Sequence, residues 1–225
     1  MSQTSRDGQD PLAVLIAGPT ASGKSALGLA LADRLDGEII NADSMQVYGD
    51  LRIVTARPSV EEERQAPHHL YGHVSADIVY STGQWLTEAT SAIGHVQKRG
   101  KVPIVLGGTG LYFRALTEGF VEVPDIPDTI RASTRTEVDE IGPVAAHGLL
   151  CDVDPDWAAQ VHENDPQRIA RGLEVFRATG RPLTAWQAEP VEALDLGPVA
   201  KIVLEPDRDW LIERIHRRFR LMVEA

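Results

Sequence analysis

Gly18-Pro19-Thr20-Ala21-Ser22-Gly23-Lys24-Ser25 has the form G-x-x-x-x-G-K-S and directly follows the apolar run Leu12-Ala13-Val14-Leu15-Ile16-Ala17. A buried strand that enters such a loop, with a helix behind it, is the context in which this motif forms a phosphate-binding loop. The backbone amides of the loop cradle phosphate oxygens, the lysine reaches a phosphate, and the serine hydroxyl can bind Mg²⁺. The stretch therefore predicts that the chain binds a polyphosphate.

A helix is predicted directly after the loop. Its apolar positions recur at helical spacing, namely Leu27, Ala30, Leu31 and Leu35. Gly37 is the expected terminator of this helix. The positive end of the helix dipole would point at the bound phosphate. A glycine-rich turn without a ligand is the alternative, but the whole motif in its expected context argues against it.

Strands and helices alternate through most of the chain, which predicts an α/β fold. Short apolar runs predict strands at residues 38–41, 102–106 and 200–204, and a helix begins at about Arg208. One face of that helix is expected to consist of Leu211, Ile215, Phe219 and Met222. Such alternation predicts a parallel sheet flanked by helices, with ligands at the carboxyl ends of the strands.

A helical insertion is predicted within this α/β core. Strand patterns vanish between Phe120 and Pro190, where prolines punctuate helical patterns. We therefore expect the first part of a P-loop core in residues 1–122 and a helical insertion domain in residues 123–189. The core is expected to continue in residues 190–225.

The composition is typical of a globular protein from a reducing compartment. Of the 225 residues, 43% are hydrophobic and 24% are charged, and no apolar run is long enough to span a membrane. Residues 1–10 lack the apolar core of a signal peptide, so we expect a disordered lead-in and a cytoplasmic protein. A single cysteine, Cys151, excludes a disulfide framework and a thiolate metal site. The net charge of −11 excludes a general nucleic-acid coat protein but allows a local basic surface.

Two polar residues follow predicted strands that end beside the loop. Asp43 comes just after the second strand, so its carboxylate is expected in the same crevice as the phosphate loop. There it can act as a general base or an outer ligand of Mg²⁺, or it can cap the turn that begins at Gln46. Thr109, within Gly107-Gly108-Thr109-Gly110, can project over the site or cap the next helix. Position alone does not choose between these roles.

Arginines occur on two predicted helices. Arg168 and Arg171 share one face of a helix that Asp165 and Pro166 begin, where they contact a phosphate backbone or, more commonly, form a solvated face. The last helix carries five arginines: Arg208, Arg214, Arg217, Arg218 and Arg220. Of these, Arg214 and Arg218 are one turn apart and could face the ligand edge of the sheet.

Histidines and aromatic residues are predicted to be structural. His68, His69 and His73 lack cysteine or carboxylate companions at metal-ligand spacing, so we expect loop histidines. The larger aromatic residues are expected to pack in the core, namely Tyr80, Trp85, Trp157 and Trp186.

Taken together, the motifs resemble those of the tRNA dimethylallyltransferase family, also called isopentenyl-tRNA transferases. Beside the phosphate loop, the matching stretches are Asp43-Ser44-Met45-Gln46-Val47-Tyr48, Thr55-Ala56-Arg57-Pro58, Pro67-His68-His69-Leu70, Gly107-Gly108-Thr109-Gly110-Leu111-Tyr112-Phe113 and Asn164-Asp165-Pro166-Gln167-Arg168. They occur in the family's order across nearly the whole chain.

The resemblance implies a specific reaction. The N6 amine of the adenosine 3′ of the tRNA anticodon attacks the first carbon of dimethylallyl diphosphate and expels pyrophosphate. The phosphate loop would hold the leaving group, with Mg²⁺ bridging it to Ser25. The implied partners are the tRNA anticodon loop and dimethylallyl diphosphate, and we expect a monomer.

The resemblance also implies roles for single residues. The catalytic set would be Asp43 as the base together with Lys24, Ser25, Thr109 and Arg218. The diphosphate would be bound by Gly18, Thr20, Ala21, Ser22, Gly23, Lys24 and Ser25. Contacts with tRNA would come from Asp43, Ser44, Met45, Gln46, Thr109, Arg131, Gln167, Arg168, Ile169, Ala170 and Arg171.

The sequence departs from the family pattern in two respects. Arg52, Val54 and Gly72 replace residues that are common in the family, at positions outside the chemistry. Family members continue past the arginine-rich helix, so we expect a chain that ends at Ala225 to be a shortened form with less tRNA-binding charge.

Two alternatives follow from these observations. One is a tRNA-binding fragment without turnover, and the other is a small-molecule kinase that uses the loop on ATP. Many phosphate-loop kinases carry a Mg²⁺-linked Asp at the end of an apolar strand, where this chain has glycines. The kinase is therefore the weaker alternative.

Overall fold

The computed structural model describes residues 13–224, so the expected lead-in at residues 1–10 lies outside the described residues. The chain forms two compact units. One contains the residues up to Phe120 and from Ala193 onward, and the other is Val121–Glu192.

The first unit is built around a parallel five-stranded sheet. Its strands are β1 (Ala13–Ala17), β2 (Gly37–Asn41), β3 (His68–His69), β4 (Val102–Gly107) and β5 (Val199–Val203). Their order across the sheet is β3-β2-β4-β1-β5, and every pair is parallel. Strand β1 therefore lies between β4 and β5, with the phosphate loop at its carboxyl end. This arrangement confirms the predicted fold class.

Helices cover both faces of the sheet. The helices of this unit are α1 (Lys24–Leu35), α2 (Val60–Glu63), α3 (Thr82–Lys98), α4 (Gly110–Glu118) and α10 (Arg208–Glu224). Because side chains alternate along a strand, Val14 and Ile16 pack on the α1 side while Ala13 and Leu15 pack on the α3 and α4 side. On the latter side Trp85 is fully buried and stacks on Tyr112 with ring centroids 4.2 Å apart. The prediction that Trp85 packs in the core is confirmed.

The prediction that Gly37 terminates α1 is wrong. The helix ends at Leu35, and Asp36 adopts the left-handed conformation with φ of 53°, which Asp tolerates better than most residues. Gly37 instead begins β2, where a Cβ atom would lie 2.8 Å from the carbonyl oxygen of Val102. A glycine is needed here because the neighbouring strand passes too close for a side chain.

Two further details differ from the sequence prediction. His68 and His69 were expected in a loop, but their backbones pair with Ile39 and Ile40 as the edge strand β3. On α10, Phe219 is 64% exposed, whereas Arg218 is half-buried. The partly buried positions are Leu211, Ile215, Arg218 and Met222, a spacing that follows the helical period.

The second unit is helical throughout its described residues. It consists of α5 (Asp128–Ile141), α6 (Pro143–Val153), α7 (Pro155–Ala158), α8 (Pro166–Thr179) and α9 (Leu183–Gln187). As predicted, Asp165 caps α8 by accepting a hydrogen bond from the Arg168 amide at 3.0 Å, with Pro166 in the first turn. Its core includes Val138, Leu150, Ile169 and Leu173. Within residues 13–224, every helix is too short or too polar to cross a lipid bilayer.

Candidate active site

The phosphate loop is tightly folded and held by its own lysine. Ala21 and Gly23 have positive φ angles of 61° and 97°, which turn the chain into α1. The Nζ atom of Lys24 donates to the carbonyl oxygens of Gly18 at 2.9 Å and Pro19 at 2.6 Å. Among residues 13–224, the amides of Gly23, Lys24 and Ser25 have no backbone acceptor. These amides and the start of the helix form a positive concave surface that suits an anion.

Ser22 also indicates that the loop binds a ligand. Its hydroxyl oxygen is buried and has no hydrogen-bond partner among the described residues. A buried polar atom without a partner is costly, so it marks a position where a ligand oxygen or an ion supplies the missing contact. Ser25 is the second residue of α1 and lines the same cavity.

Asp43 both supports a turn and faces the site. One carboxylate oxygen, Oδ1, accepts the Met45 amide at 3.0 Å, so the predicted capping role is present. The other oxygen, Oδ2, lies 3.5 Å from the point where a Cβ atom of Gly108 would sit. Asp43 also lines the cavity next to the loop. The capping role that the sequence left open is therefore present, and a role of Asp43 in the chemistry stays a prediction.

Asn41 fixes the backbone of Asp43. Its side-chain oxygen accepts the Asp43 amide at 2.9 Å, and its Nδ2 donates to the carbonyl oxygens of Asp43 and Leu70 at 2.9 and 3.0 Å. The side chain is fully buried at the end of β2. Asn41 was not among the predicted site residues, although a polar residue that ends an apolar strand is a usable signal.

Thr109 ties the end of β4 to the Asp43 turn. Its Oγ1 accepts the Ser44 amide at 2.9 Å and lies 3.3 Å from the Ser44 hydroxyl. It occupies the cap position of α4, but its side chain makes no capping bond there. Thr109 is therefore the N-cap residue of α4, as one of the two alternatives predicted, but its hydroxyl bonds to Ser44 and not to the helix.

Gly107 allows this junction to form. A Cβ atom on Gly107 would lie 2.0 Å from the carbonyl oxygen of Ala42. The same carbonyl accepts the Thr109 amide at 3.1 Å. Gly107 is therefore required here, because the backbones of β4 and the Asp43 turn approach too closely for a side chain.

Two arginines of α10 contact the phosphate loop directly. Arg218 donates from Nη2 to the Thr20 hydroxyl at 2.8 Å, and Arg214 donates from Nε to the Ala21 carbonyl at 3.0 Å. Arg214 also lies over the ring of Trp210, 4.6 Å from its centroid. Arg217 lines the same cavity. The expectation that Arg214 and Arg218 face the ligand edge of the sheet agrees with these contacts, and the implied catalytic set had omitted Arg214.

The phosphate loop, the Asp43 turn and α10 line an open cavity of about 570 Å³. Its lining includes the loop from Thr20 to Ser25, Asp43, Tyr71 and the α10 arginines. Burial lowers the pKa of Lys24, the Asp43 carboxylate opposes this shift, and Arg218 adds to it. Burial also raises the pKa of Tyr71, so its ring is a neutral wall of the cavity. The cavity thus combines a cationic end, the carboxylates of Asp43 and Glu62, and an aromatic ring.

The other residues implied to contact tRNA lie partly at the cavity and partly in the second unit. Gln46 lines the cavity and uses its Nε2 to hold the carbonyls of Thr55 and Ala56 at 2.9 and 3.0 Å. Met45 is exposed. Arg131 and the Gln167–Arg171 segment belong to the second unit.

Ile169 and Ala170 correct one part of that prediction. Their side chains are 0% and 5% exposed in the core of the second unit, so they are not available to a partner. The helical period explains this, because α8 buries one face and exposes Gln167, Arg168 and Arg171 on another. For these exposed residues, contact with tRNA stays a prediction.

The histidines form no metal centre with other residues. His69 Nε2 lies 2.7 Å from the buried Glu38 carboxylate, which also accepts from Arg99 at 2.6 Å. His73 contacts Glu88 at 2.7 Å. Within residues 13–224, no three His, Cys, Asp or Glu side chains are grouped to hold a metal ion.

Comparison with known proteins identifies the family of the chain. A family model described as IPP transferase matches residues 46–225, and one described as isopentenyl transferase matches residues 12–71. The tRNA dimethylallyltransferase of Parvibaculum lavamentivorans is 58% identical over 212 residues, which cover 94% of this chain and 67% of that protein. That of Azorhizobium caulinodans is 54% identical over 96% of this chain and 69% of its own length.

Solved structures agree with these matches. A eukaryotic dimethylallyltransferase acting on tRNA superposes with a TM-score of 0.76 at 32% identity, over 95% of this chain and 53% of that chain. The tRNA isopentenylpyrophosphate transferase of Bacillus halodurans gives a TM-score of 0.60 at 36% identity. This match covers 96% of this chain and 67% of that chain. The chain thus spans about two thirds of its bacterial relatives and about half of the eukaryotic enzyme. It belongs to the tRNA dimethylallyltransferase family, a family of tRNA-prenylating enzymes, as its motifs had indicated.

Proposed function

We propose that this chain transfers a dimethylallyl group from dimethylallyl diphosphate to N6 of the adenosine 3′ of the tRNA anticodon. The observation that carries the proposal is the shared cavity of the phosphate loop and Asp43. A diphosphate bound to the loop would place its carbon chain in the same cavity as the carboxylate. Family membership supports the choice of tRNA as acceptor.

In the proposed reaction, Asp43 holds the proton that the amine loses. A bond forms between N6 and the first carbon of the donor, the bond from that carbon to the diphosphate oxygen breaks, and the N6 proton passes to the carboxylate. Oδ1 of Asp43 is engaged by the Met45 amide, so Oδ2 is the oxygen that accepts the proton. A positioned carboxylate contributes about 10²–10⁴-fold to such a step.

The cationic end of the cavity stabilises the leaving group. Negative charge grows on the diphosphate as the carbon–oxygen bond breaks. Fixed amides of the loop, Lys24 and Arg218 face that charge, and they need little reorganisation because Lys24 and Arg218 are already bonded to the loop. We include Arg214 in this group because it contacts the same loop.

Mg²⁺ fits the site through the Ser25 hydroxyl and the phosphates of the donor. Within residues 13–224 the Ser22 hydroxyl and the loop amides of Gly23, Lys24 and Ser25 have no partner, and such polar groups suit a phosphate–metal complex. Mg²⁺ is commonly held by few protein ligands together with substrate phosphates. When bound, the ion would neutralise diphosphate charge.

Arginines at the surface of the second unit support an RNA acceptor, and of these Arg131 is partly buried. Arg131, Arg168 and Arg171 are proposed to contact the tRNA backbone, while the Asp43–Gln46 turn and Thr109 contact the target nucleoside. The adenosine of a single-stranded loop can leave its stack at a cost of a few kcal/mol.

The direct test is mass analysis of tRNA nucleosides after incubation with Mg²⁺ and dimethylallyl diphosphate. We expect a dimethylallyl adduct on adenosine and one pyrophosphate released per adduct. Binding of tRNA without an adduct would replace the proposal with a binding role. Phosphorylation of a small acceptor from ATP, without an adduct, would replace it with a kinase.

A further inference from the structure

A buried carboxylate lies beneath arginines from two helices of the second unit. Glu174 of α8 is 1% exposed. Its Oε1 accepts a hydrogen bond from Nε of Arg135 on α5 at 3.0 Å, and its Oε2 lies 3.9 Å from Nη1 of Arg171. One buried acid therefore contacts Arg135 across the interface between α5 and α8 and Arg171 on its own helix.

A third arginine belongs to the same group. Arg131 lies one turn before Arg135 on α5, so the two share a face. Burial lowers the pKa of Arg171; Glu174 opposes this shift, and both Arg131 and Arg135 add to it. Arg171 is thus within electrostatic reach of both Arg131 and Arg135, and Glu174 contacts Arg135 and Arg171.

This group of three arginines is positively charged, whereas the second unit as a whole is acidic. Residues 121–192 contain six arginines, no lysine and fourteen Asp or Glu residues, a net charge of −8. Here three arginines share Glu174 and Asp128, the latter bonded to Arg131 at 3.0 Å. An anionic partner is the chemistry that such a local excess recognises.

Arg135 retains most of its donors for that partner. A guanidinium carries five N–H groups, and Glu174 takes the one on Nε. Among the described residues, neither Nη atom of Arg135 has a hydrogen-bond partner, and the side chain is 61% exposed. Two outward Nη groups on a fixed guanidinium match the oxygens of one phosphate.

We propose that Arg135 contacts a phosphate of the tRNA backbone, and that Glu174 is the positioning residue that holds Arg135 and Arg171 for this contact. The proposal rests on the proposed function and extends it, because the resemblance implied Arg131 and Arg171 but neither Arg135 nor Glu174. Stability alone is a poor reason to bury Glu174, since buried ion pairs gain little over apolar residues of similar volume.

The first test compares two arginine variants that remove the same charge from the same unit. Arg135→Gln removes the proposed contact. Arg177→Gln is the matched control, because Arg177 also joins α8 to α5 but pairs with Glu137 at 2.7 Å instead of Glu174. Affinity for an anticodon stem-loop RNA is measured by fluorescence anisotropy over a series of salt concentrations, and circular dichroism checks the fold of each variant.

We expect Arg135→Gln to weaken RNA binding by about tenfold at low salt. The slope of log affinity against log salt concentration should fall by about 1, since one phosphate contact is lost. Arg177→Gln should stay within about twofold of the unchanged chain, with the same slope. Equal affinity and slope for Arg135→Gln and the unchanged chain would overturn the proposal.

Glu174→Gln tests the positioning role through the sign of its effect. The change removes a negative charge, so long-range electrostatics alone would strengthen RNA binding. If Glu174 holds the arginines, binding weakens instead, and Arg135→Gln with Glu174→Gln together should lose less affinity than the sum of the two single losses, because part of the effect of Glu174→Gln passes through Arg135. Unchanged or tighter binding by Glu174→Gln would overturn the role assigned to Glu174.

Failure of this inference differs from failure of the proposed function. If the unchanged chain binds the stem-loop no better than an unrelated hairpin RNA of equal length, the proposed function and the inference both fall. If it binds selectively but Arg135→Gln binds equally well, only the inference falls.

Discussion

The Asn41 side chain brackets the backbone of Asp43, accepting its N–H and donating to its carbonyl, each at 2.9 Å. The carboxylate that faces the cavity is therefore carried on a backbone that cannot shift without breaking buried hydrogen bonds. Asn41 is itself anchored, because its own carbonyl accepts the indole N–H of Trp85 at 2.7 Å.

Replacing Asn41 with Ala is expected to reduce turnover more than donor binding. The change leaves the Leu70 carbonyl and the Asp43 amide without their partner, at a cost of about 1–3 kcal/mol in stability. A small displacement of Asp43 would lower kcat by up to about 10²-fold. Single-turnover rates and pyrophosphate affinity, measured on the same preparation, separate the two effects. An equal loss in both would mean that Asn41 supports the whole cavity and not Asp43 in particular.

Two substitutions of Asp43 separate its roles as base and as cap. Asp43→Asn keeps an oxygen for the Met45 amide but removes the base, whereas Asp43→Ala removes both. We expect both to lower turnover by about 10²–10⁴-fold with pyrophosphate affinity nearly intact. Only Asp43→Ala should lower the free energy of unfolding, by about 1 kcal/mol, which is the usual cost of losing a cap. Normal turnover in Asp43→Asn would remove the carboxylate from the chemistry.

The charge of Lys24 predicts a pH dependence of diphosphate binding. Burial lowers the pKa of Lys24 below the ordinary value of 10.5. As pH rises through this lowered pKa, the ammonium loses its charge, so affinity for pyrophosphate should fall at a lower pH than for an ordinary lysine. Arg218→Gln removes a repelling charge and should move the fall to higher pH, while Asp43→Asn should move it to lower pH.

Calorimetric titration with pyrophosphate across this pH range provides the measurement, with Lys24→Arg as control. An arginine stays charged throughout, so its profile contains only the ionisation of pyrophosphate itself. The difference between the two profiles reports Lys24. Identical profiles would contradict the prediction.

Gly107 and Gly110 form a matched pair for stability. Gly107→Ala would place a Cβ atom 2.0 Å from the Ala42 carbonyl, so β4 and the Asp43 turn must separate. We expect a loss of about 1–3 kcal/mol, the usual cost of overpacking. Gly110→Ala meets no atom within 4 Å and should be neutral or slightly stabilising. Urea unfolding measures both, and equal stability of the two variants would show that the junction relaxes freely.

The sequence predicted the part of the fold that depends on strong local patterns. The phosphate loop and the apolar strands at β1, β2, β4 and β5 combine a motif or an apolar run with clear boundaries. Strand β3 could not be found this way, because His68 and His69 carry no apolar pattern and pair only through their backbones. The role of Gly37 was also out of reach, since it depends on the neighbouring strand β4 and not on α1.

The candidate site was predictable in its motifs but not in its supports. Lys24, Ser25, Asp43 and Arg218 line one cavity, as parallel strands predict for residues that follow their carboxyl ends. Asn41 was missed because its importance lies in contacts with residues distant in the chain, such as Leu70. Arg214 was expected at the ligand edge but was left out of the implied catalytic set, because its contact with Ala21 spans most of the chain. Ile169 and Ala170 were overestimated because a motif does not say which face of its helix is buried.

The bonds from Lys24 to the carbonyls of Gly18 and Pro19 have a kinetic consequence. A loop that already holds its curvature gains a phosphate by exchanging one hydrogen-bond partner for another, and loses little chain entropy in doing so. Capture of the donor should then proceed at the rate of diffusional encounter, with no slow ordering step before it.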